Sequence, residues 1–227
     1  MKAEVHTGKD LKYVTVVPDD YDSDVNYPLV IMLHGFGANM QDLAGLSPVI
    51  SEEGYVYALP NAPIPFELGP GQVGYGWMPP RGEATDDDIK NSELLLTGFF
   101  DEVLEKFNVQ AGQSLLMGFS QGGGMTYRCG LERPETFAGL AALSASLPDP
   151  EQLRMRLPEA RTQPIFIAHG IADAQVSMES ARVTRKFLET EGYSLEYHEY
   201  QMGHEIPAVV MRDLVPWIGK VLPPLSK

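Results

Sequence analysis

Short apolar runs alternate along this chain with longer stretches in which apolar residues recur every three or four positions. The runs cover residues 11–17, 28–33, 54–59, 114–117, 137–143, 164–168 and 194–200. They are rich in Val, Ile, Leu and Tyr, and most lack polar alternation, the pattern of strands buried on both faces in a parallel sheet. Helical periodicity marks 40–53, 89–107, 122–132, 176–191 and 205–218. The repeated β–α order predicts an α/β fold, a doubly wound and mostly parallel sheet with helices on both faces. Residues 62–81 stand apart, with prolines at 63, 65, 70, 79 and 80 and glycines at 69, 71, 74 and 76. This punctuation predicts no regular element there, but an irregular loop, reaching about residue 88, that walls a substrate site.

The chain of 227 residues is 44% hydrophobic, enough for one full core, and a single domain is expected. Seventeen basic residues against 31 acidic ones give a net charge of −14. Such a surface repels phosphate backbones and anionic membranes, which argues against a nucleic-acid partner. No apolar run approaches the ~18 residues of a membrane span, so integral membrane association is not expected. The lone Cys129 cannot form an internal disulfide and reads as a small core residue. With no apolar leader at the start, a cytoplasmic protein is expected. A homodimer is left open.

Chemistry enters at Gly118-Phe119-Ser120-Gln121-Gly122, which follows the apolar run 114–117 and opens a helical stretch. A serine on a sharp strand-to-helix turn leaves little room two residues before and after it, which suits glycine. A nucleophilic serine needs a base and a carboxylate to orient that base, and in an open α/β sheet these gather at the carboxyl ends of later strands. Asp173 follows the run ending at 168, and His204 follows the run ending at 200. Asp149, between two prolines, is a rival acid but reads as a turn or helix cap. His34 and His169 each precede a glycine at a strand end and read as turn braces, while His6 and His198 read as structural or exposed. The segment Leu33-His34-Gly35-Phe36-Gly37 can turn an amide inward, so the amides of Phe36 and Gln121 are candidate oxyanion donors. No histidine pair has zinc spacing, and the glycines around Ser120 lack the Lys-Ser/Thr ending of a phosphate loop. Neither metal nor cofactor is expected.

Together, Leu33-His-Gly-Phe-Gly, Gly118-Phe-Ser-Gln-Gly-Gly, His169-Gly-Ile-Ala-Asp173 and Gly203-His204 resemble the carboxylesterase, lysophospholipase and acyl-protein thioesterase family of α/β-hydrolases, in that family's order. The resemblance spans nearly the whole chain. It implies an α/β-hydrolase fold in which Ser120 is the nucleophile, Asp173 and His204 complete a triad, and Phe36 and Gln121 donate oxyanion-hole amides. The implied reaction is hydrolysis of a small-molecule carboxylic ester of small to medium acyl chain through an acyl-enzyme. Lysophospholipase or acyl-thioesterase activity is the alternative, and a non-catalytic binding protein on the same fold is a remote one. Where the family commonly carries an Arg-x-Trp-aromatic-Asp motif, this chain has residues 74–80, with Trp77 matching the tryptophan but no arginine or aspartate. Alanines flank Asp173 where bulkier residues are common. The apolar side chains Phe66, Tyr75, Trp77 and Met78 are the expected substrate contacts.

Overall fold

The computed structural model describes residues 1–80 and 82–226. Strands β1 (Lys2–Thr7), β2 (Lys12–Val17), β3 (Leu29–Leu33), β4 (Val56–Pro60), β7 (Ser114–Phe119), β8 (Phe137–Leu143), β9 (Ile165–Gly170) and β10 (Leu195–Tyr200) form one sheet. A separate hairpin is made by β5 (Ile64–Gly69) and β6 (Gln72–Gly76). The helices are α1 (Ser47–Ile50), α2 (Asp86–Lys106), α3 (Gln121–Gly130), α4 (Pro150–Arg156), α5 (Met178–Thr190) and α6 (Ala208–Val221). Strand order is β1-β2-β4-β3-β7-β8-β9-β10, antiparallel from β1 to β4 and parallel from β4 to β10.

The unbroken apolar runs are explained by burial on both faces. From β3, Leu29, Ile31 and Leu33 enter the layer that packs under α2, α3 and α5, while Val30 and Met32 enter the layer under α6. Helix α2 starts where its sequence directs: Thr85 accepts from the amide of Asp88, and Asp88 returns a bond to the amide of Thr85. Such a capping box contributes about 1 kcal/mol, and the acidic residues 86–88 suit the positive end of the helix dipole. Cys129 is buried in the core, and burial pushes its thiol up to about 12. No helix among the described residues is long and apolar enough to cross a membrane.

Several expectations need correction. The helix expected over 40–53 is reduced to a 3-10 turn, Ala44–Leu46, and the single turn of α1. Pro48 has no N–H to donate to Ala44, so one continuous helix is interrupted there. Strand β1 was not foreseen: its residues are exposed or half-buried and carry no apolar run. Helix α4 buries only Leu153, and Asp149 caps it, accepting from the amide of Gln152 at 3.1 Å.

The irregular loop over 62–88 is largely regular, because β5 and β6 pair antiparallel around Pro70-Gly71. Pro65 is tolerated since each strand of a two-stranded ribbon has an unpaired edge. The glycines partly serve proximity: a Cβ at Gly74 would lie 2.1 Å from the carbonyl oxygen of Gly37, against which the hairpin packs. Arg81 lies outside the described residues.

Candidate active site

Ser120 sits between β7 and α3 with φ 55° and ψ −118°, a conformation that side-chain-bearing residues rarely adopt. It is held by its amide donating to Leu143 at 2.9 Å and its carbonyl accepting from Gly124 at 3.1 Å. The flanking glycines have a steric cause. A Cβ at Gly118 would lie 2.3 Å from the Gly122 oxygen, and one at Gly122 would lie 2.2 Å from the Leu33 oxygen and 2.6 Å from that of His34. These obstacles are backbone atoms of α3 and of the end of β3, and they cannot rotate away. Gly122→Ala is therefore expected to destabilise the fold by about 3 kcal/mol or more, read from thermal or urea unfolding. Unchanged stability would show that the elbow can open without strain.

The ends of three parallel strands bring the expected side chains together. Ser120 follows β7, Asp173 follows β9 and His204 follows β10. Nε2 of His204 is 2.9 Å from Oγ of Ser120, and its Nδ1 is 2.7 Å from Oδ2 of Asp173. In the tautomer this geometry favours, Nδ1–H donates to the carboxylate and Nε2 accepts from the serine hydroxyl. The other carboxylate oxygen of Asp173 accepts from the amides of Gln175 at 2.8 Å and Val176 at 2.9 Å. Burial pushes the Asp173 carboxyl upward, but the Val176 amide, His204 and the Gln175 amide together outweigh it and hold it below its ordinary range.

His169 braces this loop, with Nε2–H donating to the Val176 carbonyl at 2.8 Å and lying 3.7 Å from Asp173. His34 also braces a turn, accepting at Nε2 from the amide of Ala62 at 3.0 Å. His6 bonds the Thr15 hydroxyl at 2.7 Å, and His198 packs between Phe166 and Tyr200. No group of three or more His, Cys, Asp or Glu among the described residues is placed to hold a metal.

Beside Ser120 opens a cleft of about 490 Å³, lined by Phe36, Met78, Pro79, Gln121, Pro148 and Val176 among others, and among the described residues no charged side chain lies on its wall. Among the described residues, no protein group accepts from the amide of Phe36 or of Gln121. Both residues line the cleft with Ser120.

The expected substrate contacts divide. Met78 lines the cleft, whereas Trp77, Tyr75 and Phe66 do not. Trp77 is wholly buried and bonded on all sides, so it supports the wall from behind. Tyr75 uses its backbone to pair with Gly37 and Ala38 and packs against the core, and Phe66 meets Phe36 in a tilted ring contact, 4.8 Å between ring centres. An indole with a polar N–H was read as a pocket wall, but an interior carbonyl claims that N–H. Pro148 and Val176 were missed as lining residues, although both follow strand ends that the pattern had located.

A profile of the family described as phospholipase/carboxylesterase matches residues 20–222. An acyl-protein thioesterase 1 from Mycosarcoma maydis is 29% identical over 218 residues, covering 86% of this chain and 91% of that protein. A probable carboxylesterase from Oryza sativa subsp. japonica is 30% identical over 207 residues, covering 85% and 77%. A carboxylesterase structure from Bacillus cereus superposes with a TM-score of 0.78 at 19% identity, covering 94% of this chain and 95% of that one. The sheet order and elbow are those of an α/β-hydrolase fold, and the chain belongs to the phospholipase/carboxylesterase family.

Proposed function

We propose that this chain is a single-domain, cytoplasmic serine hydrolase that cleaves carboxylic esters of small to medium acyl chain without a cofactor. The observation that carries this reading is the relay from Asp173 through His204 to Ser120, at 2.7 and 2.9 Å, opening onto a cleft whose described lining residues are uncharged. Ser120 Oγ attacks the ester carbonyl while His204 Nε2 takes its proton, and the oxyanion is met by the amides of Phe36 and Gln121. The C–O bond to the alcohol breaks, with the proton passing from His204 to the leaving oxygen. Water then attacks the acyl-enzyme, giving its proton to His204, which returns it to Ser120 as the acid departs. Asp173 stays ionised throughout and keeps the imidazole in its working tautomer.

The cleft beside Ser120 suits the acyl chain. A shallower recess of about 270 Å³ beside His204, between Leu43, Leu46, Phe119 and Ile206, suits the alcohol. Asp42 and Glu205 also border that recess and disfavour an anionic leaving group. Since several relatives are acyl-protein thioesterases, a thioester is the second reading. The test is a series of p-nitrophenyl esters from C2 to C16 beside an acyl-thioester and a lysophospholipid. The reading expects fastest turnover of the shorter and middle esters. Turnover confined to the thioester or the lysophospholipid would replace it.

Met78→Ala deepens the proposed acyl cleft. It is expected to raise the kcat/KM ratio of longer to shorter esters by roughly tenfold, since one methylene in an apolar pocket discriminates by 10- to 200-fold. An unchanged ratio would place the acyl chain elsewhere.

A further inference from the structure

Behind Ser120 the side chains of Gln121 and Trp77 join three chain segments. Gln121 accepts at Oε1 from the main-chain N–H of Trp77 at 2.7 Å and donates from Nε2 to the carbonyl of Met78 at 3.0 Å. The indole N–H of Trp77 donates to the carbonyl of His34 at 2.9 Å, and the Trp77 carbonyl accepts from the hydroxyl of Ser92. His34 is fixed in turn, donating from Nδ1 to the Gly35 carbonyl at 2.8 Å and packing its ring against the indole at 5.4 Å.

Phe36 is bracketed by these bonds. On its N-terminal side the indole of Trp77 holds His34; on its C-terminal side the backbone of Tyr75 accepts from Gly37 at 2.8 Å and donates to Ala38 at 2.9 Å. The same arm of chain, 75–78, is tied by the Gln121 carboxamide to the elbow that carries the second amide. The turn after β3 contains Gly35 and Gly37, so its peptide planes have little intrinsic preference and need outside anchors.

We propose that Trp77 and the carboxamide of Gln121 are positioning residues that set the separation and aim of the Phe36 and Gln121 amides, so that the arm 75–78 builds the oxyanion hole. This rests on the serine-hydrolase reading above. Fixed donors stabilise a developing oxyanion because no reorganisation is needed at the moment of reaction. Loosening them therefore costs the transition state more than the bound ester.

Gln121→Met removes the carboxamide but keeps the residue's length and its backbone amide. Trp77→Phe keeps an aromatic ring in the core but loses the indole N–H. Each is expected to lower kcat by about 10- to 100-fold, with KM for p-nitrophenyl butyrate within roughly threefold, and by the same factor for every acyl length. A trifluoromethyl ketone, which binds Ser120 as a hemiketal oxyanion, should weaken in step with kcat/KM, while the unfluorinated ketone binds as to the parent. A purely structural role would instead lower the thermal midpoint without that selective loss. Undiminished kcat in both variants, or equal weakening of the two ketones, overturns the proposal while the parent still turns over. A parent that neither hydrolyses esters nor reacts with a fluorophosphonate overturns the underlying reading and the proposal with it.

Discussion

Ser120→Ala is expected to lower ester hydrolysis by roughly four to six orders of magnitude while the protein still folds, as loss of a triad nucleophile does elsewhere. Only Oγ is removed. The backbone bonds that hold residue 120, its amide to Leu143 and its carbonyl from Gly124, do not involve that atom. Alanine meets much the same backbone penalty at φ 55° as serine does, so the elbow should persist. Residual turnover would come from the oxyanion donors and the cleft acting on water. Labelling by a fluorophosphonate, followed by intact mass, checks the assignment directly: the parent gains one adduct and the variant none. Labelling of both proteins would place the nucleophile elsewhere.

His204→Ala is expected to be about as damaging, because the serine then has no base and the leaving alcohol no acid. Asp173→Asn should cost less, about four orders of magnitude, since the carboxylate takes part in no bond change. In the variant the imidazole loses its charge partner, and where the amide nitrogen rather than the oxygen faces Nδ1 of His204 it loses its working tautomer as well. Asp149→Asn should leave kcat near the parent value, because that side chain caps α4. Steady-state kcat for the four proteins is the measurement, and a severe Asp149 variant beside a harmless Asp173 variant would move the acid to the loop after β8. A pH signature accompanies the acid. Asp173 has a lower pKa folded than unfolded, so its stabilising contribution is complete above the unfolded value and is lost as pH falls through the folded one. The stability advantage of the parent over Asp173→Asn should therefore shrink on acidification through the carboxylate range.

The near-continuous apolarity of residues 28–33, 114–117 and 164–168 was enough to identify strands buried on both faces, because burial on both sides leaves little place for a polar residue. The elbow was equally legible, since only glycine at 118 and 122 clears the backbone of α3 and β3. Chain order then placed Asp173 and His204 after successive strands, and a parallel sheet must bring such strand ends to one edge. Lost from view were the elements whose residues carry no burial pattern: the exposed edge strand β1, the shallow helix α4, and the β5–β6 hairpin, whose prolines and glycines read as an irregular loop. Trp77 shows why the cleft could not be drawn from sequence. Its apolar ring suits a pocket wall and a core equally well, and only the position of the His34 carbonyl, 43 residues earlier in the chain, decides that its N–H is claimed inside. The strands and the chemical groups were thus determined locally, by periodicity and by steric tolerance at single positions. Which side chains face the cleft was decided by tertiary packing, because it depends on where distant carbonyls and helices arrive in space.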